Sequence, residues 1–241
     1  MDGAEPVTPS PVTPSRQPAI RLAALDMAGT TVSDEGVVER AFGWALDQVG
    51  GVPGASEVGD PETFVMRTMG QSKIEVFTEL FAGDVGLARR ANAAFEAAYD
   101  GAVDRGEISA LPGAAEVMAQ LRAAGVKVCL TTGFAPATRD RILDALGWTE
   151  SVDLALSPSD AGRGRPWPDM ILTAVVRLGI EDVRAVAVAG DTASDLLAGW
   201  RAGAGIVAGV LTGAHGRPEF LAVPHTHILE SVADLSGLVL S

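Results

Sequence analysis

The chain is poor in cysteine, in lysine and in positive charge, and it has no long apolar run. Its single cysteine, Cys129, excludes an internal disulfide. Lying inside an apolar stretch, Cys129 reads as a small core residue and not as a nucleophile. The 18 Lys and Arg residues are outnumbered by 31 Asp and Glu, leaving a formal net charge of −13. That balance argues against a nucleic acid or an anionic membrane surface as partner. No segment reaches the roughly 18 apolar residues needed to span a bilayer. The first residues also lack a basic start followed by an apolar stretch, so a cytoplasmic protein is expected.

What is present is enough for a hydrophobic core: 241 residues, of which 47% are hydrophobic. Residues 1–18 carry a near-duplicated Pro-Val-Thr-Pro-Ser and are expected to be a disordered tail. The run Ile20 to Leu25, interrupted only by Arg21, reads as a buried parallel strand ending in Asp26. From Val37 to about Ile108 apolar residues recur at helical spacing, as in Val38, Phe42, Ala45 and Leu46, or Ile74, Phe77 and Phe81. No strand alternation is seen in this stretch. Beyond Leu111-Pro112-Gly113 strands and helices alternate, with strands expected at 126–130, 152–156, 185–189 and 205–210.

This pattern predicts an α/β protein with a Rossmann-like, doubly wound parallel sheet. The core is expected over 19–34 and 112–241. An all-helical module at 35–111, inserted after the first strand and hinged near 33–36 and 108–112, is placed to act as a lid. Its apolar helix at 37–49 offers a surface for a homodimer.

Chemistry-bearing residues fall at strand ends, where open α/β sheets bind ligands. Asp26 follows the first strand, together with Gly29 and the hydroxyls of Thr30 and Thr31. Thr131, Thr132 and Gly133 follow the second, Arg165 lies after the third, and Asp191 with Asp195 follows the fourth. Asp26 and Asp191 can share a hard cation such as Mg2+, with Asp195 orienting its shell. Arg165 would offset the charge of a phosphoryl group, and threonine hydroxyls with the neighbouring backbone N–H groups, that of Gly133 included, would hold its oxygens.

In this order the four segments resemble the motifs of the haloacid dehalogenase superfamily over about residues 20–210. Asp26-Met-Ala-Gly-Thr is similar to its first motif, Thr131 or Thr132 to its second, Arg165 to its third, and Gly190-Asp-Thr-Ala-Ser-Asp195 to its fourth. The resemblance implies a Mg2+-dependent hydrolase acting on a small phosphorylated or phosphonate metabolite. It also implies that Asp26 is the nucleophile that forms an aspartyl-phosphate, and that the insertion is a helical cap.

One departure narrows the resemblance. Phosphatases of the superfamily usually carry a second aspartate two residues after the nucleophile, where this chain has Ala28. Its backbone carbonyl is still available to Mg2+, but an alkoxide leaving group would lack a proton donor. The Asp-x-Ala-Gly-Thr-Thr-Val form resembles the phosphonatases, the phosphonoacetaldehyde hydrolases, whose cap lysine forms a Schiff base with the substrate aldehyde. Met69-Gly70-Gln71-Ser72-Lys73 resembles the stretch bearing that lysine, and Lys73 and Lys127 are the only lysines of the chain. A Schiff base needs the neutral amine, and moving a lysine from ~10.4 to near 7 corresponds to about 4.6 kcal/mol. The family's histidine three residues after the lysine is Val76 here.

Two other readings stand beside this one: a phosphate-ester phosphatase or phosphomutase-like enzyme in which Lys73 only binds substrate, and a non-catalytic ligand-binding protein of the same fold. His215, His225 and His227 are expected in surface loops, and Trp44, Trp148, Trp167 and Trp200 in packing, with Trp167 bordering the site.

Overall fold

The structure, a computed structural model, describes residues 18–33, 35–51, 64 and 68–241. The expected tail therefore lies outside the described residues, Pro18 excepted. Six strands form one parallel sheet: β1 (Leu22–Asp26), β4 (Lys127–Thr131), β5 (Leu154–Leu156), β6 (Val186–Gly190), β7 (Ile206–Val210) and β8 (His227–Leu229), in the order β5-β4-β1-β6-β7-β8. From β1 the strand order runs outwards through β4 to β5, and then resumes on the other side with β6, β7 and β8. The carboxyl end of β1 therefore borders the switch point, where such sheets open a crevice for ligands.

The two-residue period of a strand gives each face of β1 its own partners. Leu22 and Ala24 pack with Met170, Ile171 and Ala174 of α7 (Asp169–Arg177) and with Ala198 of α8 (Ala193–Ala202). Ala23 and Leu25 face Val117, Met118 and Leu121 of α4 (Ala114–Ala123), and Ile142 and Leu143 of α5 (Pro136–Ala145). Burial on both sides explains why β1 reads as a near-continuous apolar run. Cys129 lies in this core, and burial pushes its thiol up to about 12.

Between β2 (Val32–Ser33) and β3 (Ser109–Ala110) the described residues form the helices α1 (Val37–Gln48), α2 (Lys73–Leu80) and α3 (Val85–Asp104). Asp84 caps α3 by accepting from the Leu87 amide at 2.9 Å. The antiparallel pairing of β2 with β3 was not expected, since two-residue strands show no alternation. It sets the outgoing and returning chain side by side at the edge of the insertion. The edge strand β8 was likewise missed, and His227, expected in a loop, opens it.

An aromatic cluster fills the insertion. Phe42 stacks on Phe77 with centroids 4.5 Å apart, and Phe95 meets both edge-on. Phe134, from the loop after β4, lies 4.5 Å from Tyr99 and 6.1 Å from Phe95, so one ring of the sheet domain is built into the insertion's core. The expectation that all four tryptophans pack is corrected: Trp148 is buried, whereas Trp44, Trp167 and Trp200 are about half exposed. Trp167 lies instead between the guanidinium groups of Arg163 and Arg201.

Candidate active site

Asp26 is the last residue of β1, in register with Thr131 of β4 and beside β6. It is buried, and its Oδ1 accepts from Nη1 of Arg165, which also donates to Oδ1 of Asp195. The turn beyond Asp26 is tight: the amides of Thr30, Thr31 and Val32 all donate to the Met27 carbonyl, at 2.8–3.2 Å. Gly29 takes a φ of 82°, and a Cβ there would lie 2.7 Å from the Asp191 carboxylate carbon. Glycine is needed at 29 on both counts.

The carboxylates of Asp26, Asp191 and Asp195 each bring an oxygen within 4.8 Å of the others, and all three residues are buried. Burial pushes the Asp26 carboxyl up to about 6, with Arg165 pulling it back and Asp195 adding to the rise. Asp191 is raised well above the usual carboxylate range by burial and by the negative charges of Asp26 and Asp195. Arg165 is held firmly charged: burial lowers it, but Asp195 and Asp26 more than compensate. One guanidinium thus faces three buried carboxylates. The hard oxygen donors and the uncompensated negative charge fit a divalent cation such as Mg2+. Asp26, Asp191 and the Ala28 carbonyl, all on the cleft wall, would hold it.

Asp195 stands apart from the cleft wall. Besides Arg165 it takes the Thr192 amide at 3.1 Å and the Thr192 hydroxyl, closing a capping box at the start of α8. What the geometry gives Asp195 is the anchoring of Arg165 and of the first turn of α8. Nε of Arg165 is buried without a hydrogen-bond partner.

A cleft of about 410 Å³ opens over this group, a size suited to a small ligand. Asp26, Ala28, Thr132, Gly133, Arg165, Asp191 and Thr192 line it from the sheet side, and Val38, Glu39, Met69, Gly70 and Lys73 from the insertion. Thr132, not Thr131, reaches the cleft, because Thr131 is the last residue of β4 and its hydroxyl turns to the Leu25 carbonyl at 3.4 Å. Thr30 and Thr31 are corrected as ligand donors. Both are fully buried; Thr31 donates to the Asp26 carbonyl at 2.9 Å and Thr30 to Asp191 Oδ1 at 3.3 Å.

Lys73 opens α2 and is buried, with 7% of its surface exposed. Its Nζ lies 6.0, 5.9 and 5.6 Å from the ring centroids of Phe42, Phe95 and Phe134. Val76, one turn on, is buried in the aromatic core and does not line the cleft. The insertion meets the sheet domain along glycines. A Cβ at Gly70 would lie 2.5 Å from Thr192 Oγ1, one at Gly133 would overlap the Gln71 carbonyl, and one at Gly164 would lie 2.9 Å from Ser72 Cβ. Only residues without a side chain allow this approach.

The loop after β7 belongs to the site and was missed. Thr212, Gly213 and Ala214 line the cleft, and the Ala214 amide donates to Asp191 Oδ2 at 2.7 Å. His215, in a loop as expected, is half-buried and accepts from the Ala193 amide through Nδ1 at 2.9 Å. The available signal was position: Leu211-Thr-Gly-Ala-His215 follows a strand, as the other segments that the sheet domain brings to the site do.

A family model described as haloacid dehalogenase-like hydrolase matches residues 20–203. A phosphonoacetaldehyde hydrolase of Pseudomonas fluorescens is 38% identical over 105 residues, which are 43% of this chain and 38% of that protein. The matched stretch thus spans little more than a third of the curated relative's length. Among solved structures, a phosphonoacetaldehyde hydrolase-like protein from Oleispira antarctica superposes with a TM-score of 0.76 at 21% identity, covering 97% of this chain and 96% of that one. A phosphoglycolate phosphatase, so predicted, from Haemophilus somnus gives 0.75 at 18% identity, covering 91% and 97%. At these identities the two structures share the fold with this chain.

Proposed function

The chain belongs to the haloacid dehalogenase-like hydrolase family, and we propose that it is a Mg2+-dependent hydrolase of a small phosphonate such as phosphonoacetaldehyde. The observation that carries this reading is that the Asp26 carboxylate, from the sheet, and the Lys73 amine, from the insertion, line one small cleft. Neutral Lys73 condenses with the substrate aldehyde, releasing water and giving an imine. An Asp26 oxygen attacks phosphorus, the C–P bond breaks, and its electron pair moves into the protonated imine to give an enamine. Water then hydrolyses the aspartyl-phosphate to phosphate, and the enamine to acetaldehyde and free lysine. Because the electrons flow to nitrogen, no acid is required at position 28. Arg165 steadies Asp26 and, lining the cleft, supplies positive charge toward a phosphoryl group. When bound, Mg2+ supplies further neutralisation of phosphoryl charge. The insertion acts as the cap, keeping water from the imine.

One observation favours the phosphate-ester alternative. Three ring faces around Lys73 favour the ammonium ion, which suits a fixed positive clamp. Lys73→Arg separates the readings. Phosphonoacetaldehyde turnover is expected to disappear in this variant, because a guanidinium forms no imine. Retained turnover of a phosphate ester by both forms, with no activity on the phosphonate, would replace the proposal with the alternative.

A further inference from the structure

We infer that the loop Leu211–His215 is a positioning element for the metal-binding carboxylate of Asp191, with Gly213 and Thr212 as its determining residues. The inference rests on the Mg2+ site proposed above. The loop makes four links to groups around that site. The Thr212 hydroxyl donates to the Gly29 carbonyl at 2.7 Å, tying it to the turn that carries Asp26 and Ala28. The Ala214 amide donates to Asp191 Oδ2 at 2.7 Å and the His215 amide to the Asp191 carbonyl at 3.1 Å. His215 Nδ1 accepts from the Ala193 amide at 2.9 Å, meeting an otherwise unpaired donor of the first turn of α8.

Gly213 shows why the loop can come so close. It is exposed and does not have a positive φ, so neither burial nor backbone conformation demands glycine there. A Cβ would overlap the Asp191 carboxylate, however, and Gly29, next to Gly213 and facing the same Oδ2, is held to the same limit. Two adjacent glycines close on the Oδ2 side of the carboxylate, which receives one donor on each oxygen, Thr30 on Oδ1 and Ala214 on Oδ2. Its remaining lone pairs are left for a cation. Partners of this kind, behind a ligand, set its orientation and typically govern metal affinity by 10–100-fold.

The test is calorimetric titration of MgCl2 into the metal-free full chain, with thermal unfolding of the same samples without Mg2+. Gly213→Ala and Thr212→Val are expected to weaken Mg2+ binding by roughly 10–100-fold while the metal-free melting temperature stays near that of the parent. Thr212→Ser, which keeps the hydroxyl, should bind as the parent does. Parent-like affinity in all variants would overturn the inference, and so would a lowered melting temperature with unchanged affinity, which marks a purely structural loop. If the parent itself binds no Mg2+, the proposed metal site fails and the inference with it. Should the variants not fold, hydrogen exchange in the parent decides. The Ala214 amide must exchange more slowly once Mg2+ is added, and unchanged exchange would contradict the loop's role.

Discussion

At the scale of residues, the site trades stability for charge. Asp26 is raised from 3.8 to about 6, so the metal-free folded state binds its proton more tightly than the unfolded chain does. The associated stability is full below about pH 4 and is lost as pH rises through about 6. Denaturant titrations of the metal-free protein should show this loss, and Asp26→Asn should flatten it across the same window. Asp191 is pushed up chiefly by burial and then by its carboxylate neighbours, so Asp191→Asn is expected to stabilise the metal-free chain at pH 7. A gain of about 1–2 kcal/mol would raise the melting temperature by roughly 2–8 °C. A fall would show that the carboxylate is better compensated than the geometry indicates. Asp26, Arg165, Asp191 and Asp195 were legible in the sequence because each follows an apolar run that had to be a strand. Which hydroxyl faces the ligand was not: the turn carbonyls claim Thr31, and the pleat of β4 selects Thr132 over Thr131.

At the scale of elements, the helical insertion and the sheet meet through a ring and a seam. Phe134 joins the aromatic cluster that also forms the surroundings of Lys73. Phe134→Ala should cost about 3–5 kcal/mol of stability in urea unfolding, as for other buried aromatics. Gly133→Ala meets the Gln71 carbonyl and must push the Lys73 loop outwards. A misplacement of that kind is expected to lower kcat/KM by about 10²-fold with little change in melting temperature. Parent-like kinetics would mean that the seam is not closed during turnover. Helical periodicity revealed α1, α2 and α3, because their buried faces repeat over several turns. It could not reveal β2, β3 or β8, whose two or three residues are too short for any period. The exposed tryptophans escaped notice for another reason: an indole's burial depends on which way its helix or loop faces, and that is decided by tertiary packing.

At the scale of the whole molecule, alternating strands and helices were sufficient to predict a doubly wound parallel sheet, and the strand order puts every chemical segment at one edge. What the chain could not show by itself is how the insertion folds back over that edge, because the Gly70, Gly133 and Gly164 contacts join residues far apart in sequence. That closure brings Lys73 to the cleft of Asp26, and the proposed chemistry depends on it. The most direct test is to incubate the protein with phosphonoacetaldehyde and Mg2+, follow phosphate and acetaldehyde, and add borohydride to a parallel sample. Equal amounts of both products are expected, with no turnover when Mg2+ is chelated and a reduced two-carbon adduct on Lys73. Absence of both turnover and adduct, in a protein that still releases phosphate from a phosphate ester, would contradict it.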